Sequence, residues 1–251
     1  MSKPLLASVP EAQTAELTLE AIRAEIDGLD DEILYLIQHR QRLAGRIGLL
    51  KDVAANGLKI RPDREAAVVA RRLSRAAPDT RRLAAAVWRE LMSGGLAAQA
   101  PIEVQVWSGQ RRDVREAARS RFGGSADYAE AHTARMALDA ALDHDRIAVL
   151  ALDPDDSWWV ELAERPDLWV FEGLGRRGPL DPIALAVGRL EPSALARGAT
   201  YRVSFGGDSG MEGRQERVLA SCGGRRLCVE RDTGKAPLDR EHGVVGSAAV
   251  V

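Results

Sequence analysis

Between residues 22 and 50, Ile22, Ile26, Leu29, Ile33, Leu36, Leu43, Ile47 and Leu50 recur at alternating steps of four and three residues. That period belongs to one face of an α-helix, and the helix runs from roughly Thr18 to Val53. At 1.5 Å per residue such a helix is about 50 Å long, far longer than a typical globular helix. The two shorter helices that follow cannot cover so long a stripe within one chain. The remainder calls for a second copy of the protein, so the pattern predicts an intertwined helical dimer. One slot of the stripe is not aliphatic: it holds Arg40.

Asn56-Gly57 and Ala77-Pro78 are the strong punctuation before residue 100 and divide it into three helices. The second opens at "RPDREAAVVARRL", where Pro62 suits a first-turn position and Asp63 and Glu65 favour the positive end of the helix dipole. Glu65, Val69 and Leu73 share one face, so Glu65 lies on the apolar side. The third, "DTRRLAAAVWRELMSGGLAAQ", aligns Trp88, Met92, Gly95 and Gln99. Gly94 and Gly95 weaken that helix unless something approaches its backbone closely.

Polar groups therefore interrupt the inward face of each helix: Arg40 and Lys51, Glu65, and Gln99. Buried charges must pair with one another or bind a polar ligand. A buried Arg40 to Glu65 ion pair with Lys51 snorkelling at the helix end satisfies the first alternative. The second rests on spacing: Arg40 and Lys51 are almost three turns apart, about 16 Å along the axis, which leaves room for a small metabolite. Arg23 is about 26 Å from Arg40 along the helix and reaches such a site only across a dimer.

Composition narrows the partners. With 251 residues, 45% of them hydrophobic, the chain can bury a core and has the length of two domains. A net charge of −2 offers no bulk attraction for nucleic acid or an anionic membrane, so Arg71, Arg72, Arg81 and Arg82 read as solvated helix faces. The N-terminus lacks a signal-peptide core and no stretch has the length of a membrane span, which predicts a cytoplasmic protein. Cys222 and Cys228 flank a Gly-Gly turn between two short strands and read as buried thiols. His39, His132, His144 and His242 are scattered without ligand spacing, and no metal site is expected.

After "AAQAP" the rhythm becomes short strands alternating with helices: "IEVQVW", a helix around "RDVREAARSRF", "ADYAEA", a helix around "ARMALDAALD", then "RIAVLALD", "LWVFEGL", "IALAVGRL", "TYRVSF" and "RVLASC". That order predicts an α/β unit. The string "GGDSG" at residues 206–210 occurs around the serine of chymotrypsin-like proteases, but no matching histidine context precedes it; a Gly-rich turn is the reading. Trp158, Trp159 and Trp169 read as partly buried in a small core or interface.

The segments "LEAIRAEIDGLDDEILYLIQHRQRLAGRIGLLK", "IRPDREAAVV" and "VWRELMSGGLAAQAP" resemble, in order and spacing, the all-helical chorismate mutase domain found at the N-terminus of bifunctional chorismate mutase/prephenate dehydratases. The resemblance implies that Arg40 binds one carboxylate of chorismate and that Arg23 of a second subunit binds the other. It implies further that Lys51 and Gln99 hydrogen-bond the ether oxygen of the breaking C–O bond, that Glu65 accepts from the ring hydroxyl, and that Arg64 stands at the site's edge. No cofactor, metal or nucleophile is required. Two departures stand out: Arg61 occupies a slot where the family often has aspartate, and Gly95 replaces a serine or cysteine.

The second half resembles a prephenate dehydratase lobe in position and strand–helix order, without its motifs. "SGQRRDV" stands in place of a Gly-Pro-Glu-Gly-Thr loop, "DPDDSWW" is at best the counterpart of Glu-Asn-Ser, and Thr-Arg-Phe is missing. The expected organisation is a flexible segment over 1–14, an all-α three-helix chorismate mutase domain over 15–99, a degenerate, shortened α/β domain over 100–235 without dehydratase activity, and a C-terminal tail over 236–251. A bifunctional enzyme and a non-enzymatic helical dimerisation module are the competing readings.

Overall fold

A computed structural model describes residues 18–51, 58–175, 177–205, 216–232 and 238–250, with the side chain of Lys51 excepted. The N-terminal segment 1–14 and the "GGDSG" string lie outside the described residues. The three expected helices are α1 (Leu19–Lys51), α2 (Pro62–Leu73) and α3 (Arg81–Ala97). Pro62 opens α2, Asp63 and Glu65 occupy its first turn, and Arg71 and Arg72 its last, the charge order that suits the helix dipole. Compactness divides the chain into residues 1–40 and 41–251, a boundary inside α1.

In the first unit the apolar stripe of α1 is exposed: Ile22 is 40%, Ile26 50%, Leu29 52% and Ile33 53% accessible. The second unit holds the rest of α1, both shorter helices and a nine-stranded sheet of order β2-β1-β3-β5-β4-β9-β6-β8-β7. In chain order the strands are β1 (Glu103–Trp107), β2 (Asp127–Glu130), β3 (Arg146–Ala151), β4 (Leu168–Leu174), β5 (Ala184–Arg189), β6 (Gly198–Phe205), β7 (Glu216–Cys222), β8 (Arg225–Arg231) and β9 (Val244–Ala249). Two helices, α4 (Val114–Phe122) and α5 (Ala134–Ala140), connect β1 to β2 and β2 to β3, so these three strands are parallel.

Both faces of the sheet are covered, which explains the continuous apolar runs of β3 and β5. Ala148, Leu150 and Val187 pack with α5, Trp158 and Trp159 on one face. Ile147, Val149 and Ala186 pack with Val114, Ala118 and Phe122 of α4 on the other.

Three expectations need correction. The division near residue 100 is not a break in packing: Leu58 and Ile60, which precede α2, are buried in the same core as α4, and the Leu58 N–H donates to the carbonyl of Arg189, the last residue of β5, at 3.1 Å. The region read as a tail from 236 contributes β9, a central strand between β4 and β6. A short run containing Gly246 carries little local signal, yet only glycine fits there, because a Cβ would meet the Val170 main chain. Lastly, Cys228 is buried but Cys222 is exposed at the hairpin end, and neither forms a disulfide. The turn itself has positive φ at both Gly223 and Gly224, as a two-residue hairpin requires. Burial pushes the Cys228 thiol up to about 11, so it stays protonated at neutral pH.

The three tryptophans are core residues, with Trp158, Trp159 and Trp169 all at most 5% exposed. Arg71, Arg81 and Arg82 are exposed, while Arg72 is half-buried with its guanidinium 5.6 Å from the Trp88 ring centroid. Among the described residues no helix is long and apolar enough to cross a membrane.

Candidate active site

Arg23 and Arg40 belong to the first unit, both on α1. Arg23 is exposed; Arg40 is half-buried, and that burial lowers its pKa from the ordinary arginine value. Lys51 is the last residue of α1 and belongs to the second unit. Its side chain lies outside the described residues.

The remaining candidates belong to the second unit. Arg64 is exposed on α2, and Glu65 beside it is half-buried. Gln99 is half-buried just past the end of α3, where its Nε2 donates to the Gly95 carbonyl at 2.9 Å. One of its two N–H protons is thereby used on its own helix, and the second remains for a ligand. Its Oε1 is buried without a hydrogen-bond partner among the described residues.

The C-terminal part of α1 reaches Gln99 through glycine. A Cβ at Gly48 would stand 2.8 Å from the Gln99 Cα and 2.9 Å from its carbonyl oxygen, both main-chain atoms. Likewise, a Cβ at Gly94 would meet the Gln41 Nε2 at 2.5 Å, which supplies the close approach that the Gly94-Gly95 pair required. Gly48→Ala is therefore a sharp check on this crossing. In an ordinary helix interior the change stabilises by about 1 kcal/mol. Here it forces α1 from α3 and is expected to destabilise by about 1–3 kcal/mol and displace Gln99, read as a lower midpoint in thermal unfolding.

Glu65 is tied to residues far along the chain. Arg121, in the last turn of α4, donates from Nη2 to Glu65 Oε2 at 2.8 Å and from Nε to Glu172 Oε2 at 2.6 Å. Burial alone would lower the Arg121 pKa; the carboxylates of Glu172 and Glu65 more than reverse this and raise it. The Glu65 to Arg121 pair borders a groove of about 890 Å³ whose lining includes Val69, Met92, Phe171 and Glu172. It also borders a small cavity of about 20 Å³, lined further by Ile60, Ser93 and Phe122. Gln99 is not among the described residues lining either of these two.

Arg61 pairs with Asp63 at 2.7 Å, so its side chain turns to the first turn of its own helix. Sequence reasoning missed Arg121 and Glu172. For Glu172 there was a signal: a carboxylate inside the apolar strand "LWVFEGL" requires a charged partner.

No curated protein and no solved structure matches the chain. Residues 22–100, which span nearly all of α1 and the whole of α2 and α3, match the family model described as chorismate mutase type II. The helical part of the chain is thus similar to chorismate mutase type II, and the matched region ends before the first strand of the α/β part.

Proposed function

We propose that the protein is a homodimeric chorismate mutase, converting chorismate to prephenate by a [3,3]-sigmatropic rearrangement in aromatic amino-acid biosynthesis. The observation that carries this reading is the family match over residues 22–100. The reaction needs no nucleophile, metal or general base. The protein has to hold the compact diaxial conformer of a dicarboxylate and stabilise negative charge growing on the ether oxygen.

The residue types suit that task. Arg40 holds one carboxylate and Arg23 of the second copy the other. Lys51 and an N–H of Gln99 face the ether oxygen, Glu65 accepts from the ring hydroxyl, and Arg64 borders the entrance. A glutamine at 99 is neutral and keeps its donor over a wide pH range, whereas a glutamate would have to be protonated. The exposed stripe of α1, Ile22 to Ile33 at 40 to 53% accessibility, supports the second copy, since a monomer rarely leaves so long an apolar face to water. The α/β part performs no dehydratase step in this reading: the β1 to α4 connection is "SGQRRD", without the glycine-rich loop of that family. The protein is read as cytoplasmic.

Incubating the purified full chain with chorismate and following products by NMR tests this. Prephenate is expected to accumulate without phenylpyruvate. Phenylpyruvate above background would overturn the reading of the α/β part, and unchanged chorismate would favour a dimerisation module over an enzyme.

A further inference from the structure

We propose that Arg121, supplied by the α/β part, is a positioning residue for Glu65, so that the second half of the chain takes part in substrate recognition through one guanidinium. This rests on the chorismate mutase reading of Glu65, and it goes beyond the view of the α/β part as a silent appendage.

Arg121 is held by its surroundings. Its helix α4 ends at Gly123, whose φ of +72° favours glycine and where a Cβ would meet Glu90 Oε2 and the Ser93 Cβ, each at 2.7 Å. The end of α4 is fastened to α3 by Ser93 Oγ, which donates to the Phe122 carbonyl, and by Glu90 Oε2, which accepts from the Gly124 N–H at 3.1 Å. A third bond runs from the Tyr128 hydroxyl to the Gly123 carbonyl at 2.7 Å. A cation in this last turn also suits the negative end of the helix dipole.

Glu172 fixes the other side of the guanidinium. It lies on β4 at a register shift between Val170 and Glu172, a bulge of the kind that re-aims a side chain. All three side chains are about one-sixth to one-fifth exposed, at 16% for Glu65, 17% for Arg121 and 19% for Glu172. One guanidinium serving two carboxylates leaves a net negative charge at the groove, which is a poor arrangement for stability alone. It is a good arrangement for aiming a carboxylate. Arg121 occupies Glu65 Oε2 and sets the plane of the group, while a carboxylate retains lone pairs on Oε1 to accept from a hydroxyl.

A double-mutant cycle on the full-length protein tests this, with steady-state kinetics on chorismate as the readout. Arg121→Gln is expected to raise KM by about tenfold with a smaller change in kcat, as expected for loss of a charge-assisted contact that acts in ground and transition states alike. In a Glu65→Gln background the same change is expected to shift KM by less than about twofold, because Arg121 acts through Glu65. Arg121→Lys restores part of the affinity, and it replaces Arg121→Gln in the cycle if the glutamine variant does not fold. Effects that multiply in the double variant, or an unchanged KM in an active Arg121 variant, would overturn the proposal while leaving the mutase reading intact. A wild-type protein that does not turn over chorismate would overturn both.

Discussion

Replacing Lys51 with alanine is expected to lower kcat on chorismate by about a hundredfold to a thousandfold, the loss typical of removing one preorganised donor from a developing oxyanion. The ether oxygen carries little charge in bound chorismate and much more as the C–O bond breaks. An ammonium aimed at it therefore favours the transition state over the substrate, and KM should move far less than kcat. Lys51 is the last residue of α1, and Gly48 one turn earlier lies against Gln99. Lys51→Arg should recover only part of the rate, because the bulkier fork changes the distance to the oxygen. Equal losses in kcat and in substrate affinity for Lys51→Ala would instead make Lys51 a ground-state anchor.

Placing a charge in the stripe of α1 is expected to have an effect of similar size by another route. Ile33 is 53% exposed in the isolated chain and lies midway along the face assigned to the second copy. In Ile33→Glu a carboxylate would have to be buried without a partner at the dimer interface, a change that costs several kcal/mol. The mass in solution should fall from dimer to monomer, and turnover should fall by at least about a hundredfold as Arg23 of the second copy is withdrawn. Light scattering during gel filtration reads the first result and chorismate consumption the second. A wild-type monomer with full activity would remove the need for the second copy.

The helices were legible because their signals are local. Pro62, the acidic first turn of α2 and the alternating steps of α1 each depend on residues within two or three turns. The strands of the second half were legible as runs, but their order was not. A sheet that places β9 between β4 and β6 joins residues as far apart as Val170 and Gly246, and nothing in "VVGSAA" reports its neighbours. Leu58 and Ile60 are two apolar residues without a period to announce burial, yet they join the core beneath α4. Arg121 was hidden for a similar reason. It is one of three arginines in "VREAARSRF", and the two partners that distinguish it are 51 and 56 positions away. Of the candidate site, residue types were readable from their misfit in apolar faces, while the groove beside Glu65 was not, since its walls come from both halves of the chain.

The central claim, a chorismate mutase site assembled from two copies, is tested most directly by mixing two inactive variants. In Arg23→Ala every site lacks the crossing arginine, and in Lys51→Ala every site lacks the ammonium. Unfolding the two together and refolding them produces mixed dimers in which one of the two sites has both residues intact. Random pairing is expected to restore about a quarter of the activity of wild-type protein carried through the same procedure. Activity no higher than that of either variant alone, with the wild-type control recovered, would contradict a shared site.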